Sequence, residues 1–238
     1  SSDLASQEHY SHDLMAERAL EFIRENKEEP FFLYAAYTLP HFSSRDEDPD
    51  GLAVPSIEAY ADKDWSTPSK KYAAMVHRLD RDVGRMVDLI DELGLTDDTL
   101  IIFTSDNGGH AEMAGQFDTN GPLRGHKRDL TEGGIRVPFI ARWPGKAPAG
   151  ETTEEIVTFW DMLPTFAALA GADAPSGIDG VPVVDALAGG EVAQPHEYLY
   201  WDYGHCRDRY DQAVRLGRWK GIRHGENGPI QLYDLETD

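Results

Sequence analysis

Cysteine is almost absent: Cys206 is the only one in 238 residues. A lone thiol cannot close an internal disulfide, so any stability must come from a packed core, and the redox compartment is left open. Long apolar runs are missing too. No uninterrupted stretch approaches the roughly 18–20 residues that cross a bilayer, which excludes a membrane-spanning helix. The opening Ser1-Ser2-Asp3-Leu4-Ala5 lacks the basic and apolar regions of a signal peptide. Positive charge is scarce, with 22 Lys plus Arg against 43 Asp plus Glu and a formal net charge of −21. That balance opposes a phosphate backbone, so nucleic acid is not an expected partner. It also makes the chain self-repelling and soluble. Apolar material is not lacking: hydrophobic residues make up 40%, with 9 Phe and 5 Trp, enough to build a core rather than a disordered chain. The length suits one large domain or one and a half ordinary ones.

The order of patterns along the chain is that of an α/β protein. Met15, Ala16, Ala19, Leu20, Phe22 and Ile23 recur at helical spacing, with Ser11 or Asp13 available as the N-cap and Pro30 beyond the end. Phe31 to Tyr37 is a continuous apolar and aromatic run, as expected of a strand buried on both faces of a parallel sheet. Pro40 and His41 close it. Residues 42–68 read as a long polar loop. From Lys70 to Leu93 the three- and four-residue steps return, and Gly94 sits where a C′ glycine belongs. Thr99 to Ser105 is a second strand candidate. Strand, helix, strand predicts a βαβ unit in which 31–37 and 99–105 lie parallel and close together. Residues 111–134 are glycine-rich and expected to be irregular. A third strand covers 135–143, with an edge or bulge at Pro138. A helix covers 158–169, with Pro164 at a kink or in the first turn. After about residue 172, short aromatic runs at 197–201, 212–215 and 230–233 suggest a small antiparallel sheet. The expected division is therefore 1–171, an α/β body of largely parallel or mixed sheet, and 172–238, a β-rich subdomain.

Sites in such sheets lie at the carboxyl ends of strands. Two ends carry polar groups: His41 after the first strand, and Asp106-Asn107 after the second. A carboxylate and an amide oxygen are hard donors suited to Ca²⁺ or Mg²⁺, although Ca²⁺ takes about 6–8 oxygens and Asp-Asn-Gly-Gly is also a turn sequence. Arg124-Gly125-His126-Lys127-Arg128 concentrates cationic groups inside an acidic chain, suited to a tetrahedral oxyanion or to a solvated patch. Glu132-Gly133-Gly134 reads first as a backbone turn, with Glu132 a candidate supporting residue. Cys206 is a weak candidate nucleophile.

Together and in this order the segments resemble the second half of a sulfatase. The match runs through Phe31-Phe32-Leu33-Tyr34, Pro40-His41, Tyr72-Ala73-Ala74-Met75-Val76 and Phe103-Thr104-Ser105-Asp106-Asn107-Gly108. It continues with Leu123-Arg124-Gly125-His126-Lys127, Glu132 to Pro138, Trp143-Pro144-Gly145, Asp161 to Thr165 and Leu232-Tyr233-Asp234-Leu235. The resemblance implies an alkaline-phosphatase-like α/β fold and a sulfuric ester hydrolase working with a formylglycine and a divalent ion, usually Ca²⁺. By position, Asp106 and Asn107 match metal ligands, Lys127 the lysine on the sulfate oxygens and His41 the histidine near the leaving group. His110 and Arg124 are substrate candidates. The implied partner is a sulfated small molecule or carbohydrate, and the implied compartment of the parent is periplasmic or secreted.

The chain departs from the family pattern in what the resemblance places upstream: an Asp-Asp metal pair, a Lys and a His on the sulfate, and the nucleophile segment. The Cys-x-Pro-Ser-Arg or Ser-x-Pro-Ser-Arg segment whose first residue becomes formylglycine is expected upstream, and Cys206 is followed by Arg207-Asp208-Arg209 instead. The expectation is a segment trimmed at both ends that supplies half of a metal site, binds Ca²⁺ weakly and does not turn over alone. Asp118 and Glu132 are the residues that could otherwise complete the shell. A phosphonate or phosphate ester hydrolase of the same superfamily, or a module that keeps the fold without turnover, are the rival readings.

Overall fold

The computed structural model describes residues 9–43, 50–206 and 209–237. The chain divides into two compact units, Ser1–Thr99 and Leu100–Asp238.

The first unit is built on two helices. Helix α1, Ser11–Asn26, buries Ala16, Ala19, Leu20 and Ile23 at steps of three and four, so one stripe faces inward. Its N-cap is Tyr10, without a side-chain cap bond, rather than Ser11 or Asp13. Asp13 is engaged elsewhere: Arg78 grips its carboxylate with two guanidinium nitrogens, Nε to Oδ1 at 2.6 Å. Helix α2, Thr67–Glu92, starts where Ser66 caps it, Oγ accepting from the Ser69 amide, and Pro68 fills the first turn. It stops at Leu93, and Gly94 takes the left-handed φ of +73° that ends the helix.

Within this unit the expected strand at 31–37 is not formed. Residues 31–38 belong to no sheet, and they alternate between half-buried and exposed, with Phe32 64% and Tyr34 79% exposed. A continuous apolar run reports a tendency to be buried. Strand formation also needs a partner ladder, and none exists for it among the described residues. In the loop that follows, Glu58–Tyr60 form a 3₁₀ turn. Residues 44–49 of that loop lie outside the described set.

The second unit holds two sheets. Strand β1, Ile101–Thr104, pairs with β2, Phe139–Arg142, in register Ile101 to Arg142 and Thr104 to Phe139. This pairing is antiparallel, so the parallel neighbour expected for 99–105 is not its partner here. β2 begins one residue after Pro138, which has no N–H to give to the ladder. The supposedly irregular 111–134 contains two short helices, α3, Ala111–Phe117, and α4, Glu132–Ile135. Helix α5, Met162–Leu169, carries Pro164 in its first turn, where the missing N–H costs nothing, and α6 spans Val184–Leu187. Trp143, Val183, Ala186, Leu187 and Val192 form the core behind the two-stranded sheet.

Strands β3, Leu199–Cys206, β4, Arg209–Leu216, β5, Trp219–His224, and β6, Ile230–Asp234, form an antiparallel meander. β5 is not among the strands expected from the sequence, and its inward residues include a lysine, Lys220. One face of this meander carries Trp201, Ala213, Lys220, Ile222 and Tyr233, and Leu130 packs against it. Among the described residues, no helix is long and apolar enough to cross a membrane.

Candidate functional site

Strand β1 runs into Ser105-Asp106-Asn107-Gly108, and this turn is held by its own side chains. The Ser105 hydroxyl donates to the Asn107 carbonyl at 3.1 Å, and Asn107 Nδ2 donates to the Gly108 carbonyl at 3.0 Å. With its NH₂ group committed to the backbone, the Asn107 amide leaves Oδ1 available as an acceptor. Asp106 is exposed, and among the described residues its carboxylate has neither an ion pair nor a hydrogen bond. An unpaired carboxylate beside a free amide oxygen fits a hard divalent cation.

A second loop is bound to this turn through glycine. The Gly108 amide donates to the Gly134 carbonyl at 3.0 Å, and the Lys127 amide donates to the Gly109 carbonyl at 2.9 Å. The Gly133 amide donates to the Arg124 carbonyl at 2.8 Å. A side chain could not be accommodated here, since a Cβ on Gly108 would lie 1.8 Å from the Gly133 carbonyl oxygen. A Cβ on Gly133 would lie 2.3 Å from that of Gly125. The glycines noticed in the sequence are thus contact points between two loops as much as turns. They bring the backbone of half-buried Lys127 within one hydrogen bond of the segment bearing Asp106 and Asn107. Like Asp106, the Lys127 ammonium has no ion pair among the described residues.

The remaining candidates are placed as follows. His110 precedes α3, and its Nδ1 meets the Glu112 carboxylate. Arg124 is exposed, with its guanidinium 5.4 Å from the centre of the Tyr233 ring. Asp118 ends α3 in the left-handed region at φ 48°. Glu132 is not available as a ligand: its Oε1 accepts from Lys220 Nζ at 2.7 Å, and Arg215 Nη1 stands 4.0 Å from Oε2. No group of three His, Cys, Asp or Glu that could hold a metal occurs among the described residues. His41 belongs to the first unit, where it is exposed and its Nδ1 donates to the Phe42 carbonyl at 2.6 Å, leaving Nε2 to take a proton. The side chain of Cys206 lies outside the described residues.

The structure adds residues that the sequence did not single out. Asn120 bridges the loops: its Oδ1 accepts from the Gly109 amide at 2.7 Å, and its Nδ2 donates to the Gly125 carbonyl and lies 3.1 Å from His126 Nδ1. Lys220 is only 1% exposed, and its Nζ lies 5.3 Å from the Trp201 ring centre. Burial pushes its ammonium below the usual lysine range, and the charge and hydrogen bond of Glu132 oppose that shift. An alternating strand pattern could have flagged Lys220 as inward-facing; nothing in the sequence marks Glu132 as its partner 88 residues away.

Comparisons with known proteins identify the family of the chain. The Sulfatase family model matches residues 2–172, and a model described as N-sulphoglucosamine sulphohydrolase, C-terminal, matches 125–238. Steryl-sulfatase of Homo sapiens is 36% identical over 222 residues, covering 88% of this chain and 35% of that protein. Arylsulfatase A of Homo sapiens is 33% identical over 253 residues, covering 96% of this chain and 46% of that protein. The solved structure of Ps i-CgsB superposes with a TM-score of 0.79 at 34% identity, over 97% of this chain and 49% of that one. The chain thus spans about a third to a half of the length of these relatives. Its α/β fold is the alkaline-phosphatase-like fold of the sulfatases, and the chain ends in an antiparallel four-stranded sheet. This chain belongs to the sulfatase family.

Proposed function

We propose that the protein carrying this chain hydrolyses sulfate esters, with this chain providing one wall of the active site. The observation that carries the reading is the glycine-bound junction of the two loops. It holds an unpaired carboxylate and amide oxygen, Asp106 and Asn107, next to the backbone of Lys127. Asp106 and Asn107 would hold a divalent cation, Ca²⁺ or Mg²⁺, which supplies Lewis-acid polarisation of sulfuryl oxygens when bound. Lys127 neutralises charge developing on the same oxygens, an effect strengthened by partial removal from water. The sulfatase resemblance would give His41 the proton at the leaving group, and within its own unit the Phe42 carbonyl holds Nδ1 and leaves Nε2 for that role. His110 and Arg124 would contact the rest of the substrate.

The substrate class proposed is a sulfated sugar or small molecule. Two solved relatives support a sugar: Ps i-CgsB is seen with k-i-k-neocarrahexaose, and a 26%-identical structure with its substrate D-glucosamine-2-N,6-O-disulfate. The test is an aryl sulfate assay of the full-length protein beside Asp106→Ala and Lys127→Ala. Loss of about 10²-fold or more in kcat is expected for each, the scale set by removing one charge-stabilising group. Hydrolysis of aryl phosphate or phosphonate esters in place of the sulfate would transfer the site to the rival hydrolase class.

A further inference from the structure

We infer that Lys220 is a positioning residue for the reaction proposed above: acting through Glu132, it fixes the spacing between the Asp106–Asn107 turn and the Lys127 loop. Helix α4 is the bracket. Its Gly134 carbonyl receives the Gly108 amide of the turn, and its Gly133 amide reaches the Arg124 carbonyl of the loop. The first residue of this bracket is Glu132, and its carboxylate is fastened to Lys220 Nζ at 2.7 Å. Lys220 itself stands on β5, opposite Arg215 on one side and Tyr233 on the other. Its cation is sandwiched by none of the solvent that would loosen it, being 1% exposed and set against the Trp201 ring. A four-stranded sheet is stiff, so one ion pair transfers that stiffness to the two loops. Leu130, buried against Ala213 and Ile222, anchors the same segment by apolar packing. A buried pair is directional where apolar packing is not, which is why the pair and not Leu130 determines the register of the loops.

Two variants separate positioning from stability. Lys220→Met with Glu132→Leu replaces the pair by apolar side chains of similar volume, a change that commonly leaves a fold as stable or more so. Glu132→Asp keeps both charges and shortens the tether by one methylene. In the 238-residue chain, amide hydrogen exchange at Gly108, Lys127 and Gly133 is measured together with the thermal midpoint. Titration with inorganic sulfate is followed at the Lys127 amide. The expected result in either variant is exchange faster by about tenfold at these three amides while the rest of the four-stranded sheet stays protected, the pattern of local opening. Sulfate binding should weaken in parallel. In the full-length protein, kcat should fall about tenfold or more with KM little changed, since a displacement of the order of 1 Å is enough to cost that much. Unchanged exchange and sulfate binding in variants with an unchanged midpoint would overturn the inference, as would losses that merely follow the midpoint. If the parent chain's Lys127 amide ignores sulfate altogether, the sulfatase reading fails, and the exchange rates still decide the positioning role.

Discussion

At the scale of single residues, side chains that do chemistry and side chains that hold the fold separate by whether they have partners. Asp106 is exposed and unpaired, so Asp106→Ala should alter stability by no more than about 0.5 kcal/mol, as surface changes usually do, while removing cation binding. Calorimetric titration with Ca²⁺ and a denaturant midpoint on the same sample check both halves. Gly133 is the opposite case. Its backbone needs no unusual φ, but an added Cβ would sit 2.7 Å from each of the Arg124 and Leu123 carbonyl oxygens as well as against Gly125. Those obstacles are backbone and cannot swing aside. Gly133→Ala should therefore cost about 1–3 kcal/mol or more, the scale of overpacking, read as a lowered urea midpoint. Lys220→Met alone, which leaves Glu132 without its partner, should cost roughly 3–5 kcal/mol, and adding Glu132→Leu should restore most of it.

At the scale of elements, the pairing of α1 and α2 is organised by charge as well as by apolar packing. His12 and Asp82, each 1% exposed, meet at 3.1 Å between the two helices. Arg81 and Arg85 also bind Asp82, Arg78 binds Asp13, Arg85 binds Glu17, and the Tyr37 ring lies 4.8 Å from the imidazole. Burial lowers the His12 pKa below its ordinary 6.5, and Asp82 only partly opposes it. Burial pushes the Asp82 carboxyl up, but hydrogen bonds from Arg81 and Arg85 and the nearby positive charge outweigh this and hold it below its ordinary 3.8. The folded state thus binds fewer protons than the unfolded one at both groups. His12 contributes stability that is present above about pH 6.5 and is lost as pH falls toward its depressed folded pKa; Asp82 does the same below pH 3.8. Thermal midpoints measured from pH 8 to pH 5 should fall, and His12→Gln should flatten that part of the curve. A slope unaltered in the variant would place the titrating group elsewhere.

For the whole molecule, the donor set decides how tightly a metal is held. Asp106 and Asn107 bring one carboxylate and one amide, Glu132 is committed to Lys220, and no three-residue acidic or histidine cluster exists among the described residues. Ca²⁺ seeks about 6–8 oxygens and gains affinity from each added charge. The 238-residue chain should therefore bind Ca²⁺ weakly and hydrolyse no aryl sulfate by itself. Tight stoichiometric binding in calorimetry would mean that ligands beyond Asp106 and Asn107 are recruited, with Asp118 the first to mutate.

Helix α2 was legible because a stripe of Met75, Leu79, Val83, Met86 and Ile90 at three- and four-residue steps, a Ser66 cap and a terminal Gly94 are all local facts. The Asp106-Asn107 and Lys127 candidates stood out through the resemblance of their segments to sulfatases; the residues alone left a turn and a solvated basic patch equally open. The apolar run at 31–37 misled, since hydrophobicity specifies burial and cannot name the strand that will complete the ladder. The antiparallel partner of β1, the role of glycine as a contact point and the Lys220–Glu132 pair were decided only in three dimensions. Each depends on which groups meet across tens of residues, and a meeting of that kind leaves no period or spacing in the chain. The sequence by itself determined helices α1, α2 and α5, the two ends of α2 and the chemical types of the candidate site; the tertiary structure decided which of those groups are already bound to a partner and which are not.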